Sequence, residues 1–260
     1  MTRVTRHPYL DDPTGIVALA HRGFALDGGE NSLAAFAAAR ELGFRYVETD
    51  AHATADGVAV ALHDATLDRT TDARGRVGDL PWSTVRRALI GGREPVPLLE
   101  DVLGTWPELR VNVDVKDVRA AAPVAAAVER TRAHDRVCVA SFSAARRRAT
   151  LAALSRPVAT SAATGEVARF VVARRAGLGR AAARALRSVD CLQVPVAQGG
   201  VRVVDAGTVA AAHAAGRPVH VWTVNDPAQM RALLDLGVDG LVTDRADLLR
   251  DVLRERGTWR

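Results

Sequence analysis

The sequence predicts an α/β fold, a single (β/α)8 barrel over residues 1–260 with a β-hairpin extension after strand 2. Three observations carry that prediction. Eight short β-branched runs alternate with longer amphipathic segments along the chain, the order expected of a parallel sheet wrapped by helices. The length, 260 residues, suits one large barrel better than two small domains. A ninth apolar run follows the second too closely for a parallel crossover and has to return antiparallel.

Taken in order, the strand runs are IVALAH (16–21), RYVETD (45–50), RVNVDVK (110–116), RVCVASF (136–142), VATSAA (158–163), CLQVPV (191–196), VHVWTV (219–224) and GLVTD (240–244). Helical patterns fall between them, at 31–42, 121–132, 204–215 and 227–237. In the first, Leu33, Phe36, Ala37 and Leu42 approximate one helical face, Ser32 is placed to cap its start, and Gly43 to end it. The ninth run, VAVALH (58–63), is reached through a linker ending in Asp56-Gly57, a strong hairpin signal. Folding the chain near 55–56 returns His63 beside Glu48 and Thr49. Residues 72–95 read as a loop with a short helix that could cover the barrel mouth.

Composition excludes several classes of function. Hydrophobic residues make up 48% of the chain, enough for a large core, yet no apolar run reaches the ~18 residues of a membrane span. The N-terminus lacks the apolar stretch of a signal peptide, so a soluble, cytoplasmic protein is expected. The net charge is +5, but the basic residues are mixed with acids and aromatics are only 4%, which argues against a nucleic-acid partner. Cys138 and Cys191 lie inside strand runs and read as buried, reduced thiols. Of the 35 basic side chains 34 are arginine; the single lysine, Lys116, marks a position suited to a compact ammonium. The oligomeric state is not set by these features.

Active sites of such barrels form at the C-terminal strand ends, and the chemistry-bearing residues collect there. His21 and Arg22 end strand 1, Glu48 and Asp50 strand 2, Asp114 and Lys116 strand 3, Ser141 strand 4, and Trp222 and Asn225 strand 7. Glu48 and Asp50 share one face, two carboxylates within ~7 Å that repel unless a cation lies between them. With Asp114 they form an oxygen-rich set suited to Mg²⁺ or Ca²⁺. His21 and His63 are the candidate acid and base, and Arg22 and Lys116 can neutralise phosphate oxygens.

The ordered motifs AHRG (20–23), ENSLAAF (30–36), ETD (48–50), TADG (54–57), HDATLDRTT (63–71), VPLLEDVL (96–103), VDVK (113–116), ASF (140–142), WTVN (222–225) and GLVTD (240–244) resemble the glycerophosphodiester phosphodiesterases. The resemblance spans nearly the whole chain. It implies a TIM barrel of the phospholipase-C-like type and one divalent cation held at Glu48, Asp50 and Asp114. It also implies His21 and His63 as the catalytic pair, Arg22 and Lys116 as phosphate partners, and Trp222 as a wall for the glycerol moiety. The chain departs from the family's usual pattern at Asp114, where Glu is usual, at Gly29, where Pro is common, and at Ser32, usually Thr.

The activity expected on this basis is hydrolysis of a glycerophosphodiester to an alcohol and sn-glycerol 3-phosphate, by attack of water or of the substrate's own hydroxyl. Two alternatives stand beside it. A lysophospholipase D or sphingomyelinase D-like enzyme needs an apolar mouth, for which 164–187, with Phe170, Val171, Val172 and Leu178 among arginines, is the place to look. A non-catalytic binding barrel predicts loss of a ligand or a histidine. Other residues are assigned plainer roles: His52 structural or exposed, His7, His134 and His213 solvated, His220 in the core, and Arg146–Arg148 a solvated helix face. Glu30 and Asn31 either cap the first helix or border the site. Asp64 orients His63, contacts the metal or caps the hairpin end, and Asp244 starts the last helix.

Overall fold

A computed structural model describes residues 7–259. Its main sheet is built from parallel strands β1 (Val17–Ala20), β2 (Tyr46–Ala53), β4 (Arg110–Val115), β5 (Val137–Ala140), β6 (Ala159–Thr160), β7 (Leu192–Pro195), β8 (Val219–Trp222) and β9 (Gly240–Thr243), with β3 (Ala59–Ala61) beside β2. The eight parallel strands run in the order β6-β5-β4-β2-β1-β9-β8-β7 and form a curled sheet. Its two ends meet at the parallel bridge between Ser161 and Cys191. Outside lie the helices α1 (Leu33–Glu41), α2 (Leu99–Thr105), α3 (Ala121–Arg130), α4 (Ala144–Ala152), α5 (Thr164–Arg175), α6 (Gly179–Ala185), α7 (Ala206–Ala214), α8 (Pro227–Asp235) and α9 (Ala246–Glu255).

Period-2 alternation sorts each strand between two environments. Val111, Val113 and Val115 of β4 join the layer packed under the helices, while Asn112 and Asp114 point into the bore. In β2, Val47 and Ala51 face the helices, and Tyr46, Glu48 and Asp50 face inward. The lower bore is filled by Tyr9, Leu19, Tyr46, Cys138, Cys191 and Val242. Tyr9 stands edge-on to Tyr46, and the Tyr46 hydroxyl donates to the Tyr9 carbonyl at 2.8 Å. Apolar filling below leaves the polar side chains one level up, at the strand ends.

Local signals set the helix limits. The Ser32 hydroxyl accepts from the Ala35 amide, and Gly43 ends the helix at φ +96°. Asp205 and Asp226 cap α7 and α8 in the same way. At the site itself Gly23 sits at φ +83°, and a Cβ there would stand 2.6 Å from the Ala35 backbone, so only glycine lets α1 pack over the end of β1.

Strand β3 pairs antiparallel with β2, Ala51 opposite Ala61 and Ala53 opposite Ala59. Residues 72–95 contribute a helical turn (Trp82–Val85) and a short antiparallel pair (Leu89–Ile90 with Glu94–Pro95). They do not cover the mouth as expected. Val77, Val85, Ala88 and Ile90 pack instead with Val60 and Leu62 into a satellite core. Among the described residues no helix is long and apolar enough to cross a membrane.

Candidate active site

A cavity of about 660 Å³ opens at the C-terminal ends of the strands. All eight residues singled out in the sequence line it: His21, Arg22, Glu48, Asp50, His63, Asp114, Lys116 and Trp222. Parallel register sets Glu48 beside Asn112 and Asp50 beside Asp114. His63 returns through β3, and the Leu62 amide donates to the Asp50 carbonyl at 3.0 Å.

Both histidines are oriented by carboxylates. His21 Nδ1 donates to Asp244 Oδ1 at 2.6 Å, and His63 Nδ1 to Asp64 Oδ1 at 2.6 Å. Each imidazole is thereby left with Nε2 available to a ligand; His21 Nε2 lies 3.8 Å from Glu48 Oε2. Burial works against a charged His21, but the Glu48 carboxylate and the Asp244 bond outweigh it and raise its pKa above the usual histidine value.

The charged wall is tightly paired. Lys116 Nζ stands 2.8 Å from Asp50 Oδ1 and donates to Asp114 Oδ2 at 2.7 Å. Arg22 Nε is 3.1 Å from Asp50 Oδ2, and its Nη1 donates to Glu30 Oε1 at 2.8 Å. Burial pushes the Asp50 pKa up, yet Lys116 and Arg22 hold it below the usual carboxylate range. Glu48 is bonded by no lysine or arginine side chain; its Oε2 accepts from the Arg22 backbone amide at 3.1 Å. Burial, with the Asp50 charge beside it, raises its pKa to about 8. Arg22 and Asn31 adopt φ of +56° and +61°, the left-handed region that non-glycine residues rarely occupy, and a bond from the Asn31 amide to the Arg22 carbonyl ties the two together.

This geometry can be set beside known proteins. A family model described as the glycerophosphoryl diester phosphodiesterase family matches residues 21–248. A probable glycerophosphodiester phosphodiesterase 2 of Mycobacterium tuberculosis is 48% identical over 246 residues, 94% of this chain and 93% of that protein. The chain belongs to the glycerophosphoryl diester phosphodiesterase family. Solved structures show the same fold. A putative member from Silicibacter pomeroyi superposes with a TM-score of 0.81 at 24% identity, covering 96% of this chain and 98% of that one. An Oleispira antarctica phosphodiesterase, solved with the product sn-glycerol-3-phosphate, superposes with a TM-score of 0.75 at 21% identity, covering 91% and 96%. Membership makes the chain a phosphodiester hydrolase and sets aside the non-catalytic barrel.

The family is generally dependent on a divalent metal. Among the described residues no three His, Cys, Asp or Glu side chains converge as a ready ligand set. Lys116 instead occupies oxygens of Asp50 and Asp114. The donors themselves fit a hard cation. Three carboxylates line one cavity, Asp114 Oδ1 is buried without a hydrogen-bond partner, and Glu48 is raised by burial and then by the Asp50 charge, both of which a cation would offset.

Several residues around this cavity were given lesser roles from the sequence, and Arg69 was given none. Asn31 is fully buried; its Nδ2 donates to Asp50 Oδ2 at 3.0 Å, and its Oδ1 accepts from Thr49. Asp244, expected only to start a helix, anchors His21 and is itself held by Asn225 Nδ2 at 2.7 Å. Arg69 bridges Asp64 and Glu30, with Nε 2.6 Å from Asp64 and Nη2 2.7 Å from Glu30. Asp64 proves to orient His63, and Glu30 borders the site through Arg22. His52 is buried, donating from Nε2 to the His63 carbonyl. His220 lies in the core as expected. Both cysteines are buried and unbridged.

Two plainer assignments are corrected. His134 is buried against Glu129 and Arg156 rather than solvated, whereas His213 is exposed as expected and pairs with Asp239 at 2.7 Å. Within the arginine run Arg147 is 2% exposed and makes a bidentate pair with Glu166. His7 is half-buried and accepts from the Tyr9 amide.

Proposed function

We propose that the chain hydrolyses glycerophosphodiesters to an alcohol and sn-glycerol 3-phosphate, with His21 and His63 as its acid–base pair. The observation that carries this is the pair of imidazoles in one cavity, each with Nδ1 clamped by a carboxylate and Nε2 left for substrate. One histidine takes the proton of the attacking hydroxyl, from water or from the substrate's glycerol. The other gives its proton to the departing alkoxide, so charge does not accumulate on either oxygen. The Asp244 and Asp64 clamps keep each ring oriented while it gains or loses that proton.

Arg22 and Lys116 receive the phosphate oxygens, and Trp222 forms a wall for the glycerol moiety. Glu48, Asp50 and Asp114 would hold one divalent cation, Mg²⁺ or Ca²⁺. Such an ion supplies Lewis-acid neutralisation of phosphate charge. The same reading takes the curled sheet as a closed (β/α)8 barrel of one domain, with β2 and β3 as its hairpin arm; the Ser161–Cys191 bridge and the β2–β3 register support it.

The test is release of sn-glycerol 3-phosphate from a panel of glycerophosphodiesters. Chelator-treated protein should be inactive and should recover with Mg²⁺ or Ca²⁺. Full rate in chelated protein, or no turnover with any divalent ion, contradicts the proposal.

A further inference from the structure

Basic residues are mixed with acids along most of the chain, but not around one rim of the cavity. From Thr164, where α5 starts, to Arg202 there are seven arginines and two acids, Glu166 and Asp190. That stretch alone carries the chain's net charge of +5; of 35 basic and 30 acidic residues in all, the remaining 28 and 28 cancel. Neither acid offsets the arginines at the surface. Glu166 is buried against Arg147, and Asp190 accepts from the Thr160 amide and hydroxyl.

Three elements make up this rim. Arg175, at the end of α5, donates from Nη2 to the Arg202 carbonyl at 2.6 Å, which joins the helix to the short antiparallel pair Ala197–Gln198 with Val201–Arg202. Helix α6 packs against α5. Arg180, Arg184 and Arg187 follow i, i+4 and i+7, one exposed stripe, while Ala182 and Leu186 are buried on its other side. Arg174 pairs with Asp205 at 2.9 Å. Arg169, Arg180, Arg184, Arg187 and Arg202 are exposed and enter no ion pair among the described residues.

Apolar side chains stand among these guanidinium groups. Six large hydrophobic side chains are exposed among the described residues, and three of them belong to this stretch: Val172 at 68%, Leu178 at 58% and Val201 at 45%. Val172 and Val201 line the cavity mouth from α5 and from the antiparallel pair, and Leu178 lies in the turn between α5 and α6. Scattered apolar residues on a surface are ordinary. Unopposed arginines interleaved with exposed aliphatic side chains are a different pattern. Water suits the first group and not the second, whereas the boundary of an anionic bilayer suits both.

We infer that α5, α6 and the 197–202 pair form a docking face for an anionic membrane surface, with the cavity mouth turned toward the lipid. The guanidinium groups meet headgroup phosphates, and Val172, Leu178 and Val201 enter the boundary between headgroups and acyl chains. Other occupants fit less well. A second copy docked face to face would set the same unpaired arginines against these. A nucleic acid would find no ring to stack on, because Phe170, the one aromatic of the stretch, is buried.

Vesicle co-sedimentation tests the face without reference to catalysis. The chain should bind vesicles of phosphatidylcholine mixed with phosphatidylglycerol at least ~10-fold more tightly than phosphatidylcholine alone, and the difference should shrink as salt rises. Arg180→Gln/Arg202→Gln should weaken binding to the anionic vesicles about 25-fold, about fivefold for each charge near the surface. Leu178→Ser should weaken it about tenfold at every salt concentration, because apolar burial is not screened. All three side chains are exposed, so both variants should melt like the wild type.

Equal binding to neutral and anionic vesicles, or anionic binding that both variants retain, overturns the docking face. So does loss in the arginine variant alone, which leaves a polyanion site of the kind a nucleic acid would use. A dimer that either variant dissolves gives the face to a second copy and likewise overturns it. The lipid and salt comparisons are made on the wild-type chain, and they decide the proposal even where a variant fails to fold.

Discussion

The β1–β2–β4 side of the cavity and the β5–β8 side face each other and are built on opposite rules. The first is crowded with charge, almost every group of which has a partner: Lys116 between Asp50 and Asp114, Arg22 between Asp50 and Glu30, Arg69 between Glu30 and Asp64. The second is apolar, and Phe142, Val172 and Val201 on it are exposed. Its fully buried ion pair, Arg147 with Glu166, sits behind α5 and does not line the cavity. Charges that line a cavity can exchange partners with a ligand; a charge pair sealed behind a helix can only hold the helix in place.

That contrast can be broken at four points. The largest effect falls behind the wall. Arg147→Ala strands Glu166 and should cost about 3–5 kcal/mol in denaturant unfolding, with kcat of the folded protein unchanged; loss of kcat without loss of stability would reverse the roles assigned here. Next, Lys116→Ala should lower kcat/KM by at least ~10² with little change in melting temperature. Lys116→Arg should not restore it, because a planar fork does not replace a point charge shared by two carboxylates. Third, Arg69→Ala should lower kcat about tenfold by loosening the Asp64 clamp on His63. KM should stay nearly unchanged, which separates a loosened clamp from a collapsed site.

The smallest effect concerns Glu48. Its carboxyl is raised in the fold to about 8 from an ordinary 4.5, so the fold favours the protonated form. That contribution is fully present below about 4.5 and is lost as pH rises through 8. In chelator, Glu48→Gln and wild type should melt together at pH 4, and the variant should melt at least ~2 °C higher at pH 9. Equal melting at both values removes the burial and charge penalty assigned to Glu48.

How far the sequence reveals each side follows from the same contrast. The charged side lies at strand ends, where period 2 and the barrel rule place His21, Glu48, Asp50, Asp114 and Lys116 without a structure. The residues that position them were less legible because their partners are remote. Asp244 acts on a histidine 223 residues away, and Asn31 on Asp50 19 away. A strand-end Asp in GLVTD and an arginine five residues beyond Asp64 were the available signals.

Arg147 was misread for a geometric reason. Consecutive helical residues point about 100° apart, so a run of three arginines cannot all face solvent on a helix packed along one side. The apolar wall was harder still. A helix apolar on opposite faces reads as buried all round, and only the fold separates Phe170, in the core, from Val172, exposed on the cavity.

The most direct measurement of the central claim is the hydrolysis rate of His21→Ala and of His63→Ala, each with saturating divalent cation and each shown to melt like the wild type. Either substitution should lower kcat by at least ~10². A rate within tenfold of wild type in either variant would contradict the pairing of the two clamped imidazoles as acid and base.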